Sequence, residues 1–306
     1  MKERSLILFT LLMQTATGAY LIPGGLQLWF GYHPGNLDTN QFFRGLFWLV
    51  MILAILGLIA SFFHLGSPKN AWYALSNLRS SWLSREIFFA LLFTSGVSLY
   101  SLLGANARPG LAMIVLLIIT SFAGLSLVYS MSRLYQLRTV SPWNSPVTAL
   151  SFWTTTLLLG GLTSILSFCL TALSAINYQA SPSLLAELEW RSKLVTLISP
   201  LTYIALILII IQGLQISKEL SQKSEFKKGI PGKIINIACI RLWLLSLGGS
   251  GLFLSIFLLN NPSPRINTIA SLVIICWLCN VTGEVLGKSA FYEARRQPGL
   301  IYPELS

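Results

Sequence analysis

Long apolar blocks alternate with short polar links along the whole chain. The blocks predict spans near 6–30, 46–66, 86–104, 111–130, 147–176, 194–217, 234–259 and 266–287. Each is close to the ~20 residues that a helix needs to cross a hydrocarbon core at about 1.5 Å per residue. Pro and Gly punctuate most of the links, as in His33-Pro34-Gly35, Arg108-Pro109-Gly110 and the stretch from Pro262 to Pro264. Trp29, Tyr32, Trp82, Tyr129, Trp143 and Trp190 gather near block ends, where amphipathic rings sit at a membrane–water boundary. The predicted fold is all-α: one integral membrane domain over residues 1–306, a polytopic bundle of eight transmembrane helices.

Composition agrees. Hydrophobic residues make up 54% of the 306 and charged residues 10%, with a mean hydropathy of +0.69. A soluble protein of this size cannot cover its surface with so little charge. The longest hydrophilic link, 217–233, is too short for a soluble domain. The first block is too long for a removed signal peptide and has no clear small-residue cleavage site, so it is read as a retained span.

Charge adds orientation. Of the 21 Lys and Arg residues, sixteen fall on the face that holds the N-terminus, the even-numbered links and the C-terminus. The positive-inside rule then predicts both termini in the cytoplasm of a bacterium, with the chain multi-pass in its inner membrane. A basic face also suits an acidic partner protein. Membrane lipid is the expected surroundings, and no nucleic-acid partner is expected. Cys169, Cys239, Cys276 and Cys279 all lie in apolar blocks. Cys276 and Cys279 form a C-x-x-C with no second pair nearby, which favours packing over a metal or iron–sulfur site. No metal ligands are assigned.

The candidate chemistry centres on residues 61–87. His64 ends the second apolar block and Glu86 opens the third, so both groups lie at the same depth at one membrane face. A titratable pair there suits proton-coupled chemistry on a lipid-soluble molecule. The bland alternative is that each only caps its helix. Gln14, Arg241 and Glu284 fall inside spans on the same side, Gln14 about a dozen Å deep at 1.5 Å per residue. Lipid-facing placement of such groups is costly, so they predict a shared polar pocket. The alternative for Arg241 and Glu284 is an internal pair that fixes helix packing.

The run Phe63-His64-Leu65-Gly66-Ser67-Pro68 followed by Leu83-Ser84-Arg85-Glu86-Ile87 resembles the membrane anchor subunit of anaerobic dimethyl sulfoxide reductase. The likeness continues in Arg133-Leu134-Tyr135, Gly160-Gly161, Arg241-Leu242-Trp243, Gly283-Glu284-Val285-Leu286-Gly287 and Phe291-Tyr292, and it covers nearly the whole sequence. The resemblance implies a subunit without haem or iron–sulfur cluster that oxidises menaquinol. It implies two partners in a heterotrimer: an iron–sulfur electron-transfer subunit and a molybdopterin catalytic subunit that reduces dimethyl sulfoxide or a related acceptor. The family's quinol-site histidine falls on His64 and its glutamate on Glu86. The depth argument extends the pocket to Gln14, Arg241 and Glu284, and the His64 motif extends it to Gly66 and Ser67. Two alternatives stand beside this reading. One is a haem-bearing anchor, which two histidines in the whole sequence, one of them in a link, do not favour. The other is a cofactor-free secondary transporter, or the proton-conducting subunit of a related polysulfide-reductase-type complex; no repeat between the two halves is evident in the sequence.

Overall fold

The computed structural model describes residues 2–32, 40–63, 73, 75–104, 110–136, 144–178, 184–225, 232–261 and 266–293. Within them eight α-helices follow one another: α1 (Lys2–Tyr32), α2 (Asn40–Phe62), α3 (Trp82–Leu102), α4 (Leu111–Tyr135), α5 (Pro146–Tyr178), α6 (Leu184–Glu225), α7 (Gly232–Leu259) and α8 (Ile266–Glu293). A 3₁₀ turn, Leu75–Asn77, precedes α3. All eight helices are long and apolar enough to span a bilayer, and the described residues hold no strand.

Several helices outlast their apolar blocks. α6 runs well past 194–217 at both ends, and its early turns carry the Glu189–Lys193 ion pair (2.8 Å) with the Lys193 ammonium over the Trp190 ring. An i, i+4 acid–base pair and a Trp are at home in the interface, where hydropathy no longer marks the helix. α3 likewise starts before its block, at Trp82, because the Ser81 hydroxyl accepts a hydrogen bond from the Ser84 amide (3.3 Å) and caps the first turn.

The helices form two four-membered rings. α1 packs on α2, α2 on α3, α3 on α4 and α4 back on α1; α5, α6, α7 and α8 close in the same order. The rings meet where α5 lies against α1, α2 and α4, and α8 lies against α1. α1 and α5 are accordingly the most buried spans. They run in the same direction, since Gln14 of α1 stands beside Phe152 of α5 and Gly18 beside Gly160. The two halves therefore begin with helices that run in the same direction, although their sequences show no clear repeat.

Two glycines set the α1–α5 distance. A Cβ on Gly18 would overlap the Thr156 carbonyl, and one on Gly160 would overlap the Gly18 and Ala19 backbone. Small residues at a helix crossing let backbones approach, and in lipid such packing supplies much of the association energy. Around this seam the first ring is filled by aromatic side chains in edge contact: Tyr20 meets Phe47, Phe93 and Tyr100 at centroid distances of 5.3, 5.8 and 5.9 Å.

The seam predicts a contrast between neighbours. Gly160→Ala forces backbone apart and should destabilise the detergent-solubilised protein by about 1–3 kcal/mol, seen as a lower thermal midpoint. Gly161→Ala, whose Cβ meets only Ile22 Cδ1 at 3.5 Å, should leave the midpoint unchanged.

Candidate functional site

α8 provides the frame of the site. Glu284, Lys288 and Tyr292 recur every four residues, so they form one stripe down the helix face turned into the protein. All three are buried, Lys288 at 4% exposure and Glu284 at 1%. Glu284 meets α5 and α7, Lys288 meets α5, and Tyr292 meets α1.

Glu284 takes two charge-assisted bonds. Arg241 of α7 donates from Nη2 to Oε1 (3.0 Å), and Thr155 of α5 donates from Oγ1 to Oε2 (2.7 Å). Gly287 makes the first of these possible, because a Cβ there would sit 2.5 Å from Arg241 Cζ. The second glycine of the Gly-Glu-x-x-Gly motif is thus a slot for the guanidinium. Arg241 Nε is buried without a hydrogen-bond partner. Arg241 and Glu284 therefore do form the internal pair weighed in the sequence, and they do so inside a larger polar cluster.

Lys288 stands one turn further along. Its ammonium lies 3.4 Å from the centroid of the Phe152 ring and 6.0 Å from that of Phe291, and it interacts electrostatically with Glu284. Gln14 of α1 donates from Nε2 to the Phe152 carbonyl (2.9 Å), while its Oε1 has no partner. Phe152 thus seats both the cation and the amide. Its ring also stacks on Tyr135 of α4 (5.6 Å between centroids).

Tyr292 closes the stripe. Its hydroxyl pairs with Thr10 Oγ1 of α1 (3.2 Å), hydrogen-bonds Tyr135, and lies within electrostatic reach of Glu86. Glu86, 3% exposed, is in the second turn of α3. The cap of that helix is Ser81, so the capping role weighed for Glu86 is replaced by a buried carboxylate facing the bundle. Among the described residues Glu86 has no hydrogen bond or ion pair. Its neighbour Arg85 points away, donating to the Leu78 and Arg79 carbonyls (both 2.8 Å) with its guanidinium 4.2 Å over Trp82. That clasp ties the preceding turn to the start of α3.

The structure therefore brings Gln14, Glu86, Arg241 and Glu284 onto one network spread over α1, α3, α7 and α8. His64, Gly66 and Ser67 lie outside the described residues. Lys288, Tyr292, Thr10, Tyr135 and Thr155 also belong to the network, and sequence reasoning does not single them out as members. The available signal for Lys288 and Tyr292 is their four-residue spacing from Glu284. Charge counting places Lys288 with the basic residues of a membrane face, and its burial removes it from that count.

A family model described as DMSO reductase anchor subunit (DmsC) matches residues 1–294. The chain belongs to the DMSO reductase anchor subunit family. This anchor is 28% identical to the anaerobic dimethyl sulfoxide reductase chain YnfH of Escherichia coli (strain K12) over 302 residues, 97% of the present sequence and 96% of the relative. It is 30% identical to a chain of the anaerobic dimethyl sulfoxide reductase of Haemophilus influenzae over 162 residues, 53% of the present sequence and 56% of that one. It is 33% identical to a subunit of the sulfite dehydrogenase of Allochromatium vinosum over 162 residues, 48% of the present sequence and 49% of that one. No solved structure matches the anchor.

The Arg241–Glu284 pair gives a stability prediction for this anchor. Glu284→Leu leaves a largely buried Arg241 without its carboxylate and should cost about 3 kcal/mol, the low end for breaking a buried pair. Removing both, in Arg241→Met with Glu284→Leu, should cost clearly less than Glu284→Leu alone. Thermal unfolding of these two variants and of Arg241→Met alone, in detergent, measures the coupling; additive losses would show that the pair is not interacting.

Proposed function

We propose that this protein oxidises menaquinol at the end of the network that holds Glu86 and Tyr292, with Gln14 one turn along α1 from the Thr10 that pairs with Tyr292, and passes the electrons to an iron–sulfur partner subunit. As a DMSO reductase anchor subunit it is a multi-pass membrane protein of a molybdoenzyme complex with catalytic and electron-transfer partners. In the proposed assembly the iron–sulfur subunit feeds a molybdopterin subunit, the three forming a heterotrimer in the bacterial cytoplasmic membrane. Redox centres belong to the partners, and the anchor handles the quinol and its protons. The charge bias supports cytoplasmic termini even without Arg241 and Lys288, which lie inside the bundle.

The observation that carries this reading is Glu86: a carboxylate almost wholly buried at membrane depth, with no hydrogen bond or ion pair among the described residues, in a member of the anchor family. Buried ionisable groups in a span are expensive and are kept for a task. Oxidising a quinol releases two electrons and two protons, so its hydroxyl needs a nearby acceptor. Glu86 supplies one, and the unpartnered Oε1 of Gln14 supplies a second hydrogen-bond acceptor. His64 joins them by resemblance: a neutral imidazole accepts a hydroxyl hydrogen bond and then the proton. Gly66 and Ser67 come with the same motif.

The relatives include a chain of a dimethyl sulfoxide reductase and a subunit of a sulfite dehydrogenase. An anchor that exchanges electrons with quinone serves either, because the substrate chemistry belongs to another subunit. Dimethyl sulfoxide or a related acceptor is the proposed terminal oxidant here.

Two substitutions test the reading in membranes, with anchor abundance checked by immunoblot. Glu86→Gln should lower menaquinol-linked turnover by about 10²- to 10⁴-fold, the usual worth of a positioned proton acceptor. His64→Arg should do the same, since arginine stays charged and has no lone pair to receive a proton. Activity from a soluble artificial electron donor should persist in both. Unchanged menaquinol turnover, or equal loss with both donors, would contradict the assignment.

A further inference from the structure

Lys288 is an ammonium in an unusual position. It is 4% exposed, on a transmembrane helix, with three N–H donors and no hydrogen-bond acceptor or ion pair among the described residues. Its close contact is the face of Phe152, 3.4 Å from Nζ to the ring centroid. A desolvated cation–π contact returns only part of what burying an ammonium costs, even after the surroundings relax. Glu284 does not close the gap, because it forms no direct ion pair with Lys288; the bonds described for its oxygens come from Arg241 and Thr155. Lys288 is therefore held near the carboxylate at a net cost to the fold, while Arg241 supplies the ion pair that Glu284 makes.

What surrounds it points to a ligand with oxygen atoms. Phe152, whose ring carries the ammonium, has its carbonyl bonded by Gln14, and Gln14 Oε1 is an acceptor without a donor. One helical turn along α8, Tyr292 lies within electrostatic reach of Glu86, an acceptor with no donor among the described residues. A phenolic oxygen is complementary to this set: its O–H donates to a carboxylate or an amide oxygen while its lone pairs accept from an ammonium.

We propose that Lys288 is the anion-holding residue of the quinol pocket, its ammonium donating to the quinol oxygen that loses its proton. This rests on the quinol reading above and adds to it the group that stabilises charge. The O–H bond of the quinol breaks and its proton passes to the Glu86 carboxylate. The electron pair of that bond stays on oxygen, and the resulting anion is held by Lys288. The anion then loses two electrons, one at a time, to the one-electron centre of the iron–sulfur partner, and its second hydroxyl proton leaves to the membrane face, giving the neutral quinone. A preorganised cation aimed at developing negative charge is worth far more in a water-poor site than in bulk solvent.

The experiment uses the purified full complex and a short-chain menaquinone, with binding measured by calorimetry and turnover of its quinol measured with the physiological acceptor. The variants are Lys288→Met, Lys288→Gln and Lys288→Arg. Met and Gln should each lower quinol turnover by about 100-fold, and Arg, which keeps the charge, should stay within about tenfold of wild type. The thermal midpoints of Met and Gln should equal or exceed that of wild type, which a structural cation would not allow. If Met does not assemble, Gln carries the comparison. Wild-type turnover in an assembled Met or Gln variant overturns the inference about Lys288 and leaves the quinol reading standing. Loss of turnover together with a lowered midpoint in both also overturns it, by assigning Lys288 to the fold. Failure of the wild-type complex to bind the menaquinone overturns the quinol reading and this inference with it.

Discussion

The backbone contact between Gly18 of α1 and Gly160 of α5 is what the rest of the arrangement depends on. Each four-helix ring could close alone, but the two are joined along α1 and α5, and joined closely because neither helix has a side chain at the crossing. The parallel approach puts Gln14 against the Phe152 carbonyl one turn away from the contact. Phe152 in turn carries Lys288 of α8, so a contact with no polar group of its own decides which polar groups meet. In lipid this is the natural order of causes, since apolar burial between helices supplies little and close packing supplies much.

The second constraint is charge. A bilayer tolerates Arg241, Glu284, Lys288 and Glu86 only where protein atoms replace water. Arg241 and Glu284 meet that demand by pairing, with Thr155 satisfying the remaining oxygen and Gly287 making room for the guanidinium. Lys288 and Glu86 meet it less completely. The network bonds both oxygens of Glu284 at one end and carries a carboxylate with no hydrogen bond or ion pair among the described residues, Glu86, at the other.

Much of this is legible in the sequence, for physical reasons. Eight blocks are readable because crossing a hydrocarbon core fixes both length and composition. Gln14, Arg241 and Glu284 stand out because polar groups are rare there, and their common side follows from counting residues. The pairing of Arg241 with Glu284 is only one of two readings at that level, because residues forty-three apart on neighbouring helices carry no local signal of contact. Hydropathy starts the third span too late, at Glu86, because Ser81, a cap, begins a turn that hydropathy does not register. That small shift changes the meaning of Glu86, from a helix terminus to a buried wall of the bundle. Lys288 reads as surface charge because it follows the apolar block; only the packing of Phe152 and Phe291 around it shows that the protein continues there. The like direction of α1 and α5 is hidden as well, since the sequences of the two halves show no clear repeat.

The most direct test of the account is an electron cryo-microscopy structure of the assembled complex with a short-chain menaquinone bound. The account predicts the quinone ring in the first ring of helices at the α3 N-terminal end, one oxygen within hydrogen-bonding distance of Glu86 and within reach of Lys288. A quinone seated instead at the opposite membrane face, near Gln27 and Tyr100, would contradict it. So would a head group lodged among α6 and α7 with the Glu86 end filled by side chains.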